Sequence, residues 1–250
     1  MCGRFALNAT PEEVRAFFEL LEIAEFPARF NIAPTQPIMM IVGGLRHPEG
    51  SNLPNRHALL VRWGLLPSWA KSPKDMPLLI NARGESAYEK AAFRAAMRHR
   101  RTLVPASGFY EWRRSGSGRA QPYWVRPRNG GLVAFAGLME TWSEPGGSEI
   151  DTGAIVTTGA SADLTSIHPR MPVIIRPEHF ARWLDCVNYE PREVADLLGP
   201  VEPGFFEAVP VSNRVNSVAN MGPDLQERVE VMAAEEQAEA SKSAAQLSLF

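Results

Sequence analysis

Apolar and polar positions change period several times along the chain. In TPEEVRAFFELLEI the spacing is helical: Phe17, Leu20 and Leu21 supply an apolar face. Thr10 is placed to cap, Pro11 suits the first helical position and Glu13 completes a capping box. SAYEKAAFRAAMRHR predicts a second helix on the same grounds, with Ser86 and Glu89 as the box and a basic last turn. PEHFARWLDC and PREVADLLG predict short helices, the latter stopped by Gly199. Between them lie short β-rich runs: IMMIV, HALLVRW, TLVPASGFYEW, PYWVR, LVAFAGLME, GAIVTT, MPVII and FEAVPV. RRSGSGRAQ and SEPGGSEID predict hairpin loops, and GGLRHPEGSNLPNRH a long exposed loop.

These strands do not alternate regularly with helices, which argues against a doubly wound parallel sheet. The pattern predicts an α+β fold: a single domain with a mixed, mostly antiparallel sheet or barrel-like core and flanking helices. The domain is expected over residues 2–230. Residues 231–250 are small, polar and poor in core-formers, and are expected to form a flexible tail.

Composition narrows the class. The chain has 250 residues, 45% hydrophobic and 22% charged, which is ordinary for a globular domain. No apolar run approaches the ~18 residues of a spanning helix, so no membrane partner is expected. The first residues lack a basic stretch followed by an apolar one, so no signal peptide is expected and the location is cytoplasmic. Two cysteines, Cys2 and Cys186, are too few for a disulfide scaffold and fit a reducing compartment. Glu235, Glu236 and Glu239 against Lys242 account for the whole formal net charge of -2, leaving the body neutral. A neutral body still accommodates nucleic acid through a local basic face, and arginines such as Arg94, Arg98, Arg113 and Arg126 are concentrated in the middle third.

Several chemistries lack their motifs. The glycines at 116 and 118 follow two arginines without a βαβ context, and there is no phosphate-loop lysine. The five histidines make no pair on one helix face, there is no C-x-x-C, and no G-x-S-x-G elbow is present. Neither a metal nor a cofactor is expected.

MCGRF places Cys2 directly behind the initiator methionine. Methionine aminopeptidases generally trim Met1 ahead of small residues. Cys2 would then carry a free α-amine, titrating near ~7.7–8.0, and a thiol near ~8.5. The amine condenses with an aldehyde to a Schiff base, and the thiol can close on the same carbon to give a five-membered thiazolidine. The pair therefore points to an aldehyde substrate, against the plainer alternative of a frayed terminus with an idle thiol. Three stretches add to it. INARGES sets Asn81, Arg83 and Glu85 after an apolar run. LVPASGFYEW surrounds Glu111 with aromatic residues that would desolvate it and raise its pKa. SIHPRMPVII holds His168 and Arg170 in a proline-stiffened turn. Each also has a plain reading, as a strand carboxylate or a hydrogen-bonded loop histidine.

Taken in order, MCGRF, NARGE, LVPASGFYEW, HPRMP and VSNRVN resemble the motifs of the SRAP (SOS response-associated peptidase) family, and WGLLPSWAK and NIAPTQ also look like family segments. The resemblance runs from Cys2 to about Asn216. It implies a protein that senses abasic sites in single-stranded DNA and shields them through a thiazolidine cross-link on Cys2 during the SOS damage response. It implies a monomer working at the nucleoid or replication fork. By the same resemblance Asn81 would orient the amine or the sugar, and Glu111 would shuttle protons. His168 would promote opening of the sugar ring and release of the cross-link. Arg4, Arg83 and Arg170 would hold flanking phosphates and Trp69 would stack on a base. Schiff-base chemistry also brings a weak abasic-site lyase activity within reach. Two other readings stay open: an N-terminal-nucleophile thiol peptidase that removes Met1 itself, and a non-covalent single-strand binder in which Cys2 is incidental.

The closing QLSLF resembles the pentapeptide with which bacterial repair proteins dock on the sliding clamp. Gln246 would make the leading polar contact, and Leu247, Leu249 and Phe250 would fill an apolar groove. Coil over the preceding residues would reach on the order of 20 Å.

Overall fold

The core is a ring of five strands: β3 (Pro37–Gly43), β4 (Arg56–Trp63), β6 (Arg101–Ala106), β9 (Val133–Ser143) and β10 (Glu149–Gly159). In this computed structural model, which describes residues 2–44, 52–114, 120–144 and 146–231, β3 pairs with β4 and β6, β6 with β9, and β9 with β10. A short parallel pairing of Thr152 and Gly153 with Arg62 and Trp63 of β4 then closes the ring. All its other pairings are antiparallel. The long strand β9 is buried on both faces from Val133 to Glu140, one face lining the ring and the other covered, which is why LVAFAGLME is continuously apolar rather than alternating.

A second sheet lies against the ring, in the order β13 (Phe206–Pro210), β8 (Gln121–Pro127), β7 (Gly108–Arg113), β1 (Phe5–Leu7) and β2 (Arg29–Ile32). Aromatic side chains fasten the two together. Phe5 meets Trp63 and Phe135 edge-on at 5.2 and 5.9 Å between ring centres, and Phe109 meets Phe135 at 6.1 Å. Such pairs each add about 0.5–1.5 kcal/mol beyond the area they bury. Short strands extend the ring near one end. β5 (Asn81–Arg83) runs parallel to β10, β11 (Arg170–Pro172) lies on β10's other side, and β12 (Ile174–Ile175) pairs with β9.

The run TLVPASGFYEW is one apolar stretch in sequence but two strands in space. β6 belongs to the ring and β7 to the second sheet, and the chain crosses at Ser107 and Gly108. The crossing is tied down by a bond from Ser107 N–H to Ala6 O (2.8 Å). Gly108 is required for space: a Cβ there would lie 2.4 Å from Val125 O and 2.7 Å from the Trp124 indole.

The helices are shorter than their sequence patterns suggest. α1 (Pro11–Phe18) has the expected cap, with Thr10 Oγ1 accepting from Glu13 N–H and Glu13 accepting from Thr10 N–H. It stops at Phe18 because Glu19 turns left-handed (φ 53°), and Leu21 is exposed rather than on a buried face. Ser86 and Glu89 form no capping box. Ser86 N–H closes a turn onto Arg83 O instead, successive turns follow, and only α2 (Arg94–His99) is α-helical. Residues 177–186 divide between a 3-10 turn and α3 (Phe180–Leu184), and Pro191–Leu198 is 3-10 throughout. Gly199 follows it in extended rather than left-handed backbone. The strand runs are all present, as is the turn at 144–148, where Glu144 N–H meets Ser148 O. Much of the predicted long loop (45–51), the tip of the β7–β8 connection (115–119) and the tail from 232 lie outside the described residues. Among the described residues no helix is long and apolar enough to cross a membrane.

Candidate functional site

β1 is sandwiched between β2 and β7, and its register decides what stands beside Cys2. Phe5 faces Phe109, and Tyr110 N–H donates to Arg4 O at 2.9 Å. The residues before Phe5 therefore run alongside those after Phe109, which include Glu111. Cys2 is fully buried where the two sheets meet. Burial pushes its thiol well above the ordinary range, and the charge of Glu111 pushes the same way. Glu111 is only 4% exposed, and burial pushes its carboxyl up to about 7. From β5, Asn81 Nδ2 donates to Cys2 O at 2.9 Å. The Asn81 Oδ1 atom is buried and accepts from none of the described residues.

His168 approaches from the ring. Its Nδ1 is 3.8 Å from Glu111 Oε1, beyond hydrogen-bonding distance. The nearer partner is its own neighbour: Arg170 N–H donates to Nδ1 at 3.0 Å, and Arg170 O lies 3.1 Å from the same nitrogen. A backbone N–H donating to Nδ1 leaves the neutral ring's proton on Nε2, whereas an Nδ1–H donating to the carbonyl would place it on Nδ1, so Arg170 sets the tautomer. Burial lowers the His168 pKa below the ordinary histidine value. Near neutral pH the site thus offers an uncharged imidazole and a carboxyl poised between its two forms.

Four of the residues singled out in the sequence, Cys2, Asn81, Glu111 and His168, converge on one region although they come from four segments. The arginines divide. Arg83 is exposed on β5. Arg4 is engaged inside the protein, donating to Asn31 Oδ1 (2.8 Å), Val215 O (2.6 Å) and Asn216 O (3.2 Å). Arg170 grips Glu85 and Thr157 O. Trp69 is 58% exposed, which removes it from the core, and its indole N–H donates to Ala91 O at 3.3 Å. Gln246, Leu247, Leu249 and Phe250 lie outside the described residues. Among the described residues no cluster of three or more His, Cys, Asp or Glu side chains could hold a metal ion.

Two supporting residues went unmarked in the sequence. Asn31, buried on β2, accepts from Arg4 and directs its Nδ2 at the carbonyls of Val215, Ser217 and Asn220, joining VSNRVN to the strand beside β1. It is the first residue of NIAPTQ, and that segment was the available signal. Thr157, between β5 and β11, had no signal beyond belonging to a strand.

Comparison with known proteins is consistent over most of the chain. Residues 1–218 match the family described as SOS response associated peptidase (SRAP). The abasic site processing protein YoqW of Bacillus subtilis (strain 168) is 38% identical over 228 residues, covering 90% of this chain and 98% of that protein. The abasic site processing protein YedK of Escherichia coli (strain K12) is 31% identical over 233 residues, covering 90% and 98%. A crystal structure of a Bacteroides thetaiotaomicron protein superposes with a TM-score of 0.77 at 24% identity, over 92% of this chain and 100% of that one, and shows the same fold.

Proposed function

The chain belongs to the SOS response associated peptidase (SRAP) family, and on that premise we propose that it processes abasic sites in single-stranded DNA by covalent capture on Cys2. Abasic site processing is the activity named for its relatives. The ring-opened abasic sugar is an aldehyde, which is what an amine and a thiol on one residue can trap. The observation that carries the reading is Glu111: a carboxyl beside Cys2 whose pKa burial has raised to about 7, the value a proton shuttle needs at neutral pH.

The steps follow from these groups. Loss of Met1 leaves the α-amine on Cys2. The amine adds to the aldehyde carbon, and the carbinolamine loses water as Glu111 protonates the departing hydroxyl. The thiol then adds across the C=N bond: sulfur bonds to carbon, and the thiol proton ends on nitrogen. Asn81 holds the Cys2 carbonyl, and its spare Oδ1 suits an amine N–H. His168, neutral and partly exposed, would move the proton that opens the sugar ring or releases the product. Arg83 and Trp69 are the exposed groups suited to the strand, a phosphate and a base respectively. The guanidinium groups of Arg4 and Arg170 already hold internal acceptors, so a phosphate would have to share them. At the imine stage β-elimination would give a lyase side activity.

A thiol peptidase needs its cysteine as the thiolate. Burial and the nearby carboxylate disfavour that form of Cys2, which supports amine-first chemistry over a thiol hydrolase. Intact-mass measurement tests the proposal. The free protein should lack the mass of Met1. After incubation with a single strand bearing one abasic site, it should gain the strand's mass less one water. The same strand with an intact base should give no adduct. Salt-sensitive binding without an adduct to either strand would instead establish the non-covalent reading.

We also propose that QLSLF docks on a sliding clamp, Gln246 by polar contact and Leu247, Leu249 and Phe250 in an apolar groove. Removing residues 246–250 should abolish retention on immobilised clamp while leaving abasic-strand capture at its full rate. Undiminished retention would refute the assignment.

A further inference from the structure

We propose that Glu85 is a positioning residue for His168, acting through the side chain and then the backbone of Arg170. The inference rests on the role given to His168 above and deepens it.

Arg170 opens β11, on the side of β10 opposite β5. Its guanidinium reaches back across β10. Nη1 donates to Glu85 Oε1 at 2.6 Å and Nη2 to Glu85 Oε2 at 2.9 Å, a two-pronged grip, while Nη2 also donates to Thr157 O at 2.6 Å. The arginine side chain is 19% exposed and the Glu85 side chain 55%, so the pair is anchored from the arginine's side, and its two-pronged geometry rather than burial sets it apart from a loose surface pair. The Arg170 guanidinium holds the Glu85 carboxyl below the usual carboxylate range, so the grip persists through neutral pH.

Arg170 is thereby fixed at both ends, its side chain by Glu85 and Thr157 and its main chain by pairing with Gly159. The same main chain presents N–H and C=O to His168 Nδ1 at 3.0 and 3.1 Å. Which of the two engages Nδ1 decides whether the neutral ring's proton lies on Nε2 or Nδ1, and the two lie at nearly equal distances. Glu85 belongs to the turn after β5, and Asn81 at the start of that strand holds Cys2 O. The ion pair therefore ties the strand carrying His168's partner to the strand that holds the cysteine. Among the charged groups acting on His168 are Arg170 and Arg114, with Glu111 3.8 Å away. Glu85 acts on the ring through geometry, by way of Arg170.

The test is an NMR measurement of the His168 ring nitrogens in the full chain without DNA, compared with Glu85→Ala and Glu85→Gln. In the parent, Nδ1 should show the shift of an unprotonated nitrogen and Nε2 that of a protonated one. In Glu85→Ala the two shifts should converge as both tautomers populate. Glu85→Gln, which can still accept one bond from Arg170, should fall between. The capture rate of Glu85→Ala should drop about tenfold, part of what a general acid–base group contributes, with an altered pH profile. Unchanged ring shifts in both variants would overturn the proposal. Unchanged shifts with tighter strand binding would overturn it too, and would mean that Glu85 masks the charge of Arg170. If the parent formed no adduct, the functional reading would fail, while the ring shifts would still decide the role of Glu85.

Discussion

Replacing Cys2 by alanine is expected to remove the stable adduct with abasic single-stranded DNA, lowering its yield on denaturing gels to background, because the covalent step loses its thiol. The variant separates the two bonds in the proposed sequence. Alanine at position 2 keeps an α-amine once Met1 is trimmed but has no thiol. It should form the imine and fail to close the ring, and an imine hydrolyses during denaturation. Borohydride added during the reaction should therefore recover an adduct from Cys2→Ala, while an untreated sample should show none. A full yield of untreated adduct would place the bond on another residue and sink the proposal. Misfolding is not expected to imitate the result, because exchanging a buried thiol for a methyl costs on the order of 1 kcal/mol.

The second large effect is expected at Glu111. Glu111→Gln keeps the shape and burial of the side chain and removes its titratable proton. Imine formation should slow by about 10²–10³-fold, within the range for an acid–base group. The sign of the pH dependence follows from the raised value. Below about 7 the carboxyl is protonated and can donate to the departing hydroxyl; above it the donor is progressively lost. The dehydration step should therefore decline as pH rises through that value in the parent. The variant should lack this inflection and keep only the dependence due to the amine. Single-turnover rates of borohydride-trapped product against pH would measure both. An inflection near 7 surviving in Glu111→Gln would assign it to another group.

Much of the fold was legible because β-rich runs, punctuated by glycine and proline, mark strands whatever their partners. Pairing was not legible. Nothing in TLVPASGFYEW says that its two halves enter different sheets; that depends on Gly108 letting the chain pass beneath Trp124. The parallel contact of β4 with β10 that closes the ring is only two residues long, too short to leave a pattern. Helix lengths were overestimated where turn bonds took the place of the expected cap, as where Ser86 N–H closes onto Arg83 O and the chain continues as turns.

Among the candidate residues, Cys2 could be named from its position behind Met1, whereas Asn81, Glu111 and His168 were marked chiefly because their segments resemble the SRAP motifs. The pKa of Glu111 is raised by burial, but not by the aromatic residues beside it in sequence: Tyr110 and Trp112 point to the other face of β7, into a separate cluster. The arginines were harder. Composition cannot tell a guanidinium that faces solvent from one that braces carbonyls, and Arg4 belongs to the second kind. Asn31 was passed over because a buried asparagine is identified by the carbonyls that converge on it, and these lie far away in sequence.

The crossing at Ser107 and Gly108 also governs when this chemistry is available. Glu111 arrives on one sheet, Asn81 on the other, His168 on the loop leading into β11, and Cys2 packs in the core between them. A newly made chain with a trimmed terminus would carry a reactive amine and thiol in a cell that contains many small aldehydes. While the two sheets are apart, that terminus has neither its proton donor nor its imidazole. The contacts of Phe5 with Trp63 and Phe135 hold the two sheets together, and the same packing would assemble the proposed trap and bury its thiol. On the proposed chemistry, folding and arming of the trap would coincide, and a misassembled copy would lack both the proton donor and the imidazole.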